Sequence, residues 1–173
     1  MLLRPADERD IPRLQEIEKA ARARYATIDE LSFAVKTPPI AADRLAQGDV
    51  VLAEEDDRVV GFVLTQAMDG MLYIANIAVE IGFSGRGIGA ALVAAADKQA
   101  RSKDLPSLIL TTFKTPRWNG PWFRKLGFEP MPEDLVGPGL RAVLDRHRQF
   151  LDMRIRETLW RAVAGAGAPP RRY

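Results

Sequence analysis

Four glycines in eight residues, Gly82, Gly85, Gly87 and Gly89, flank Arg86 between an apolar run over 71–79 and an alanine-rich helical pattern ending near Arg101. A strand that breaks into a glycine loop and then a helix presents unpaired backbone N–H groups at the positive end of a helix dipole. Glycine lets an anion approach that backbone closely. The stretch reads as a pyrophosphate cradle. A tight strand-to-helix turn uses glycines without any ligand, but four of them around an arginine exceed what a turn requires.

The remaining chemistry is narrow. The chain has no cysteine, which excludes thiolate catalysis and cysteine-ligated metals, and its single histidine, His147, cannot build a histidine metal centre; no metal is expected. On the run 71–79 the one titratable side chain is Tyr73, which shares a face with Ala75, Ile77 and Val79 by period-two alternation. The first acid, Glu80, lies just past its end. Asp29 and Glu30 stand in an irregular N-terminal segment. Trp118 and Trp122 read as core or cleft wall, His147 as solvent-exposed, and the arginines of 141–161 as a solvated helix or a dimer surface.

The elements that must position these residues follow from patterning. A short strand at 1–4 precedes a helix that begins at Asp10-Ile11-Pro12, with Asp10 as the capping acid, and runs to about Arg24. Residues 25–40 read as irregular, followed by a short helix over 40–46 that stops at Gly48. Strands at 50–54 and 59–65 flank an Asp56-Asp57 turn, and Asp69-Gly70 is a two-residue hairpin signal into 71–79. A helix over 87–101, with Ile88, Leu92 and Ala95 on one face, leads to a strand at 108–112; strand, helix, strand implies a right-handed parallel crossover. A short helix over 121–126, a strand at 128–131, a helix over 140–150 with Leu140, Val143, Leu144 and Phe150 on its buried face, and a last strand at 153–160 complete the pattern. The expected fold is α/β, with a mixed sheet made of an antiparallel meander followed by a β-α-β crossover.

Bulk properties bound the class. A chain of 173 residues with 47% hydrophobic content supports one domain and a sizeable core, here taken as 1–162, with 163–173 as a disordered basic tail. The first residues, MLLRPADERD, lack the apolar core of a signal peptide, and the longest apolar stretch is broken by Asn76 and Glu80; a cytoplasmic protein without a membrane partner is expected. A balance of 25 basic against 23 acidic residues is too near neutral to argue for nucleic acid.

Three glycine-loop families compete. Gly85-x-Gly87-x-x-Ala90 satisfies a relaxed dinucleotide fingerprint, but a helix and a meander come before it. The next strand also ends Thr111-Thr112-Phe113-Lys114 without the acid that fold needs. A P-loop fails because Ile88-Gly89 stand where Lys and Ser/Thr must be. Val79-x-x-x-x-Ser84-Gly85-Arg86-Gly87-Ile88-Gly89-Ala90-Ala91-Leu92 resembles the acyl-CoA loop of the GNAT superfamily of N-acetyltransferases. The block Trp118-Asn119-Gly120-Pro121-Trp122-Phe123-Arg124-Lys125-Leu126-Gly127-Phe128 is similar to a second motif of that family, and the resemblance spans about residues 1–131.

The resemblance implies the GNAT-like acyl-CoA N-acyltransferase fold with a splayed cofactor cleft, and acetyl-CoA as the acyl donor. Ser84, Gly85, Arg86, Gly87, Ile88 and Gly89 would hold the CoA pyrophosphate. The backbone of Ile77 and Val79 would carry the pantetheine arm as an added strand, with Asn119 beside it. An amine acceptor would receive the acetyl group directly, with Tyr73 as the candidate titrating group and Asp29 or Glu30 as ligands of a cationic amine or bases through water. The chain departs from the family pattern at Ser84, where Gln or Arg is usual, at Ile81, where proline is common, and at Phe123, where the family often has a tyrosine that protonates the departing thiolate. Phe123 has no proton to give, so a non-catalytic acyl-CoA-binding module is the alternative. A nucleic-acid binder using the basic C-terminal segment is a third reading, and a homodimer through an exposed last strand is compatible with any of them.

Overall fold

A computed structural model describes residues 1–165 and 173. β1 (Leu2–Pro5) leads through a 3-10 turn, Glu8–Asp10, into α1 (Ile11–Arg22). The cap at this point is Asp7, not Asp10: Asp7 accepts from the Arg9 N–H at 2.8 Å, and the Asp10 carboxylate turns back to the Asp7 N–H at 2.8 Å and to Arg4. The 3-10 turn moves the real start of the helical segment three residues upstream, so the proline falls after a turn already capped. Residues expected to be irregular form two 3-10 helices, Ala23–Thr27 and Asp29–Lys36, before α2 (Ala42–Gln47).

Two aspartate turns then set the meander. Asp56 and Asp57 take φ of 51° and 57°, and Asp69 and Gly70 take 51° and 73°, the left-handed values of turns whose twist matches paired strands. They connect β2 (Asp49–Glu55), β3 (Arg58–Met68) and β4 (Met71–Val79). α3 (Ile88–Ser102) crosses to β5 (Ser107–Phe113), followed by α4 (Gly120–Lys125), β6 (Glu129–Pro130), α5 (Pro138–Arg148) and β7 (Arg156–Ala162). The strands form one seven-stranded mixed sheet in the order β1-β2-β3-β4-β5-β7-β6. β4 and β5 are the parallel pair, in register from Leu72↔Leu108 to Ile74↔Leu110, while β4 continues to Val79 and β5 to Phe113.

Contacts group the chain into two compact units, Met1–Thr65 with Asn76–Ala95, and Gln66–Ala75 with Ala96–Tyr173. In the first, α1 packs against α2 and the 3-10 helices, and Leu14, Ile17, Leu31, Leu52, Phe62, Ile88 and Leu92 are buried. In the second, Met71, Tyr73 and Ile109 form a cluster with Val136, Leu140 and Val143, the last two from α5. α5 is fixed at its start by the β3–β4 turn: the Asp69 carboxylate accepts from the Gly139 and Leu140 N–H groups at 2.9 and 2.8 Å.

Three expectations change here. Phe150 lies beyond α5 and is 81% exposed, so it is no part of the buried face. His147 is half-buried, not solvent-exposed. The last strand is not an edge: β7 lies between β5 and β6, and the edges are β1 and the two-residue β6. Of the tail, Val163 is buried and donates its N–H to Pro106 O at 2.8 Å; the remaining disorder expected over 166–172 lies outside the described residues. Among the described residues no helix is long and apolar enough to cross a membrane.

Candidate functional site

In the first unit the chain leaves β4 at Val79 and passes Glu80, whose N–H donates to Val60 O at 2.8 Å. The Glu80 carboxylate is held by Arg13 and Arg58. As the first acid after the strand it is occupied in two ion pairs. Ile81–Phe83 make one 3-10 turn, Ser84 is extended, and Gly85 and Gly87 take φ of 81° and 82°. A Cβ built on Gly82, Gly85 or Gly87 would meet nothing within 4 Å. The glycines therefore serve backbone shape and an open face, not packing, and at Gly85 and Gly87 other residues would be strained.

α3 begins at Ile88, which is 1% exposed and anchors the helix, whereas residues 84–87 are exposed. Its first intrahelical bond is Ala91 N–H to Gly87 O at 3.0 Å. The amides of Ile88, Gly89 and Ala90 precede that bond and have no partner within the helix. Exposed backbone amides at a helix start, beside glycines with open space around them, can bind an anion. Ile77 and Val79, half-buried, are on the strand that feeds it.

The side chains around the loop are mostly cationic. Arg86 pairs with Glu55 at 2.9 Å and lies over the Phe83 ring at 5.2 Å, and Arg58 lies over the same ring at 5.7 Å. Arg24 donates from Nη2 to Ser84 Oγ at 2.9 Å. Gly61 on β3 supports the loop from beneath: a Cβ there would come 2.9 Å from Ala78 O, 3.2 Å from Val79 Cγ2 and 3.4 Å from Ile88 Cγ2. Neither Arg24 nor Gly61 stands out in the sequence, because each meets its partners through long-range contacts and no local motif marks it. Asp29 and Glu30 are exposed in the first turn of their 3-10 helix.

In the second unit Tyr73 is 4% exposed within the apolar cluster, and its hydroxyl lies 3.3 Å from Thr111 Oγ1. Thr111 Oγ1 also accepts from Arg156 Nη2 at 2.9 Å, and the Arg156 guanidinium lies over Phe113 at 4.7 Å. With one oxygen lone pair given to Arg156, the Thr111 proton can turn to Tyr73, or Tyr73 can donate to Thr111. Asn119 donates from Nδ2 to Thr112 Oγ1 at 3.1 Å, and its carbonyl accepts from the Trp122 and Phe123 N–H groups, starting α4. Phe123 is 4% exposed and packs edge-on against Trp122 and Phe128, with centroids 4.8 and 5.5 Å away. Trp118 and Trp122 are half-buried. Thr111, Thr112 and Arg156 were not distinguished by sequence, since threonines on a strand carry no signal until their neighbours are known. Among the described residues no group of acids and histidines could hold a metal.

The sequence model of the Acetyltransferase (GNAT) domain family matches residues 46–130. The solved structures that resemble this one share its fold at low identity. The ribosomal-protein-S18-alanine N-acetyltransferase of Escherichia coli is 15% identical with a TM-score of 0.66, covering 96% of each chain. The PaiA N-acetyltransferase of Thermoplasma acidophilum, solved in complex with coenzyme A, is 13% identical with a TM-score of 0.67, over 93% of this chain and 98% of that one. A ribosomal-protein-alanine N-acetyltransferase from Brucella melitensis is 20% identical with a TM-score of 0.65, over 94% and 99%. The matched segment, the strand order and the glycine loop agree, and the fold is that of the GNAT acetyltransferases.

Proposed function

We propose that the protein is an acetyl-CoA-dependent N-acetyltransferase that moves an acetyl group directly to a primary amine, on a small molecule or an exposed amino group. The observation that carries this reading is the loop between β4 and α3. Gly85 and Gly87 hold left-handed conformations with open space beside them, immediately before a helix whose first amides lack intrahelical partners. Coenzyme A bound to a relative of this fold supports the same reading.

The acyl-CoA supplies an acetyl thioester, and in the transfer the amine nitrogen forms the new bond to the acetyl carbon as the carbon–sulfur bond breaks. In this reading the amides of Gly85, Gly87, Ile88 and Gly89 hold the diphosphate, with Arg86 and Ser84 beside them. The Ile77 and Val79 backbone would carry the pantetheine arm, and Asn119 is a further candidate for binding the cofactor. The amine must lose a proton and the thiolate must gain one. Tyr73, hydrogen-bonded to Thr111, is the candidate for moving a proton, and Asp29 or Glu30 the candidates for holding a cationic amine. Phe123 gives no proton; its place in a buried aromatic stack favours the second reading, an acyl-CoA-binding module without catalysis.

Calorimetric titration with acetyl-CoA, free CoA and NAD tests the site. Micromolar binding of both CoA species without an NAD response supports the proposal, and binding of neither removes it. Thiol release across a panel of amines then separates enzyme from module.

A further inference from the structure

Glu55 is the last residue of β2 and Arg58 the first of β3, register partners across the Asp56-Asp57 turn. Both side chains reach the loop that follows β4. Arg58 pairs with Glu80, and Glu55 takes Arg86, with Oε2 2.9 Å from Nη1. The two guanidiniums lie over the same Phe83 ring, at 5.7 and 5.2 Å. Arg86 stands between Gly85 and Gly87, the left-handed residues of the loop, and is the one basic residue within 80–89. The cation that the loop itself carries is therefore already matched with an anion from another element.

A diphosphate arriving at Gly85–Gly87 meets that pair, not a free charge. The Arg86 side chain is 56% exposed, and ion pairs open to solvent contribute little and exchange readily. A phosphate with its higher charge can displace the carboxylate. The displaced carboxylate stays close by, because the register with Arg58 fixes the backbone of Glu55, and like charges at short range oppose each other. Both effects weaken a ligand that carries phosphate and leave one without phosphate untouched. Resting on the reading of the loop as an acyl-CoA cradle, we infer that Glu55 sets the cofactor affinity of the site. It holds Arg86 in the free protein, yields it to the diphosphate, and takes it back as CoA leaves. CoA has to depart after every transfer, and recapture of Arg86 by Glu55 hastens that step.

The test measures CoA, dephospho-CoA and pantetheine by calorimetry at low and high salt, with thermal melting alongside. The proteins are wild type, Glu55→Gln, Arg86→Ala, the double variant and Glu8→Gln. Glu8 is exposed and follows Pro5, which pairs with Val51 toward the other end of β2 from Glu55, so its loss controls for net charge. Glu55→Gln should tighten CoA and dephospho-CoA about fivefold at low salt, the upper worth of an exposed ion pair, and less at high salt. Pantetheine binding should not change, and Glu8→Gln should bind CoA as wild type does. Arg86→Ala should weaken CoA, and in its background most of the gain from Glu55→Gln should vanish. Unchanged or weaker CoA binding by Glu55→Gln overturns the inference, the weaker case because Glu55 would then be holding Arg86 ready for the phosphate. A full gain without Arg86, a gain that dephospho-CoA lacks, an equal gain for pantetheine, or unchanged CoA binding by Arg86→Ala also overturns it. If wild type binds CoA in any of these cases, the cradle reading survives without the exchange. If wild type binds no CoA, both fall together.

Discussion

Replacing Asp69 should cost more stability than any turn residue of its exposure would suggest. Its carboxylate makes two hydrogen bonds, to the Gly139 and Leu140 N–H groups at 2.9 and 2.8 Å, and so caps α5 from a turn 70 residues upstream. Loss of such a cap costs about 1 kcal/mol. Removing a negative charge from a helix N-terminus adds about 0.5 kcal/mol. Alanine at a φ of 51° adds about 1 kcal/mol of backbone strain. The sum for Asp69→Ala is about 2.5 kcal/mol, which is a large share of the stability of a typical domain. Asp57→Ala isolates the strain, since Asp57 has a φ of 57°, is exposed and caps nothing that the structure records; it should cost about 1 kcal/mol. Asp69→Asn keeps the turn geometry and one acceptor and should also cost about 1 kcal/mol. Urea denaturation of the three variants gives the comparison directly. If Asp69→Ala and Asp57→Ala shift the midpoint equally, the cap contributes nothing and the reasoning fails.

Gly87→Glu should abolish CoA binding by charge and bulk at an open position while costing only about 1 kcal/mol of strain; calorimetry and melting together check it, and unchanged affinity would remove the loop assignment. Tyr73→Phe should slow acetyl transfer about 10²-fold if the hydroxyl moves a proton, and a normal rate would return Tyr73 to the core cluster. Glu18 is 6% exposed, and burial raises its carboxyl above the ordinary 4.5, with Arg22 opposing. A folded-state pKa above the unfolded one means that its contribution is fully present below the unfolded value and is lost as pH rises through the folded one. Wild type should therefore lose stability relative to Glu18→Gln as pH rises above 4.5, in urea midpoints measured across that window; a flat difference would mean that Arg22 dominates.

The sequence was most legible where punctuation is local. β4 has the expected bounds because Asp69-Gly70 starts it and the glycine loop ends it, and Gly85 and Gly87 take the positive φ that makes them informative in the first place. It was least legible where the cause is distant. Asp69 reads as a turn residue alone, and its second role needs α5 folded against it. The segment 23–36 carries no clean period because 3-10 helices have three residues per turn and run short. The shift from Asp10 to Asp7 as the cap depends on a salt bridge from Arg4 that holds Asp10 elsewhere. The loop's backbone was therefore readable, whereas the residues that reach it from other elements, Arg24 and Gly61 among them, were not.

Gly61 has a consequence for how the loop can vary. A single backbone point on β3 sits against the last residues of β4 and the first residue of α3, close enough that no side chain fits between them. The two ends of the loop are thereby pinned to one support, and the bridge between them has a fixed span. Extra residues inserted after Glu80 would have to bulge outward, because the abutments cannot move apart to take them in. Length at this point is frozen by packing, while residue type on the outer face stays free to change. Mutational libraries over 81–87 should accordingly tolerate substitution at Ile81 and Ser84 far better than any insertion or deletion.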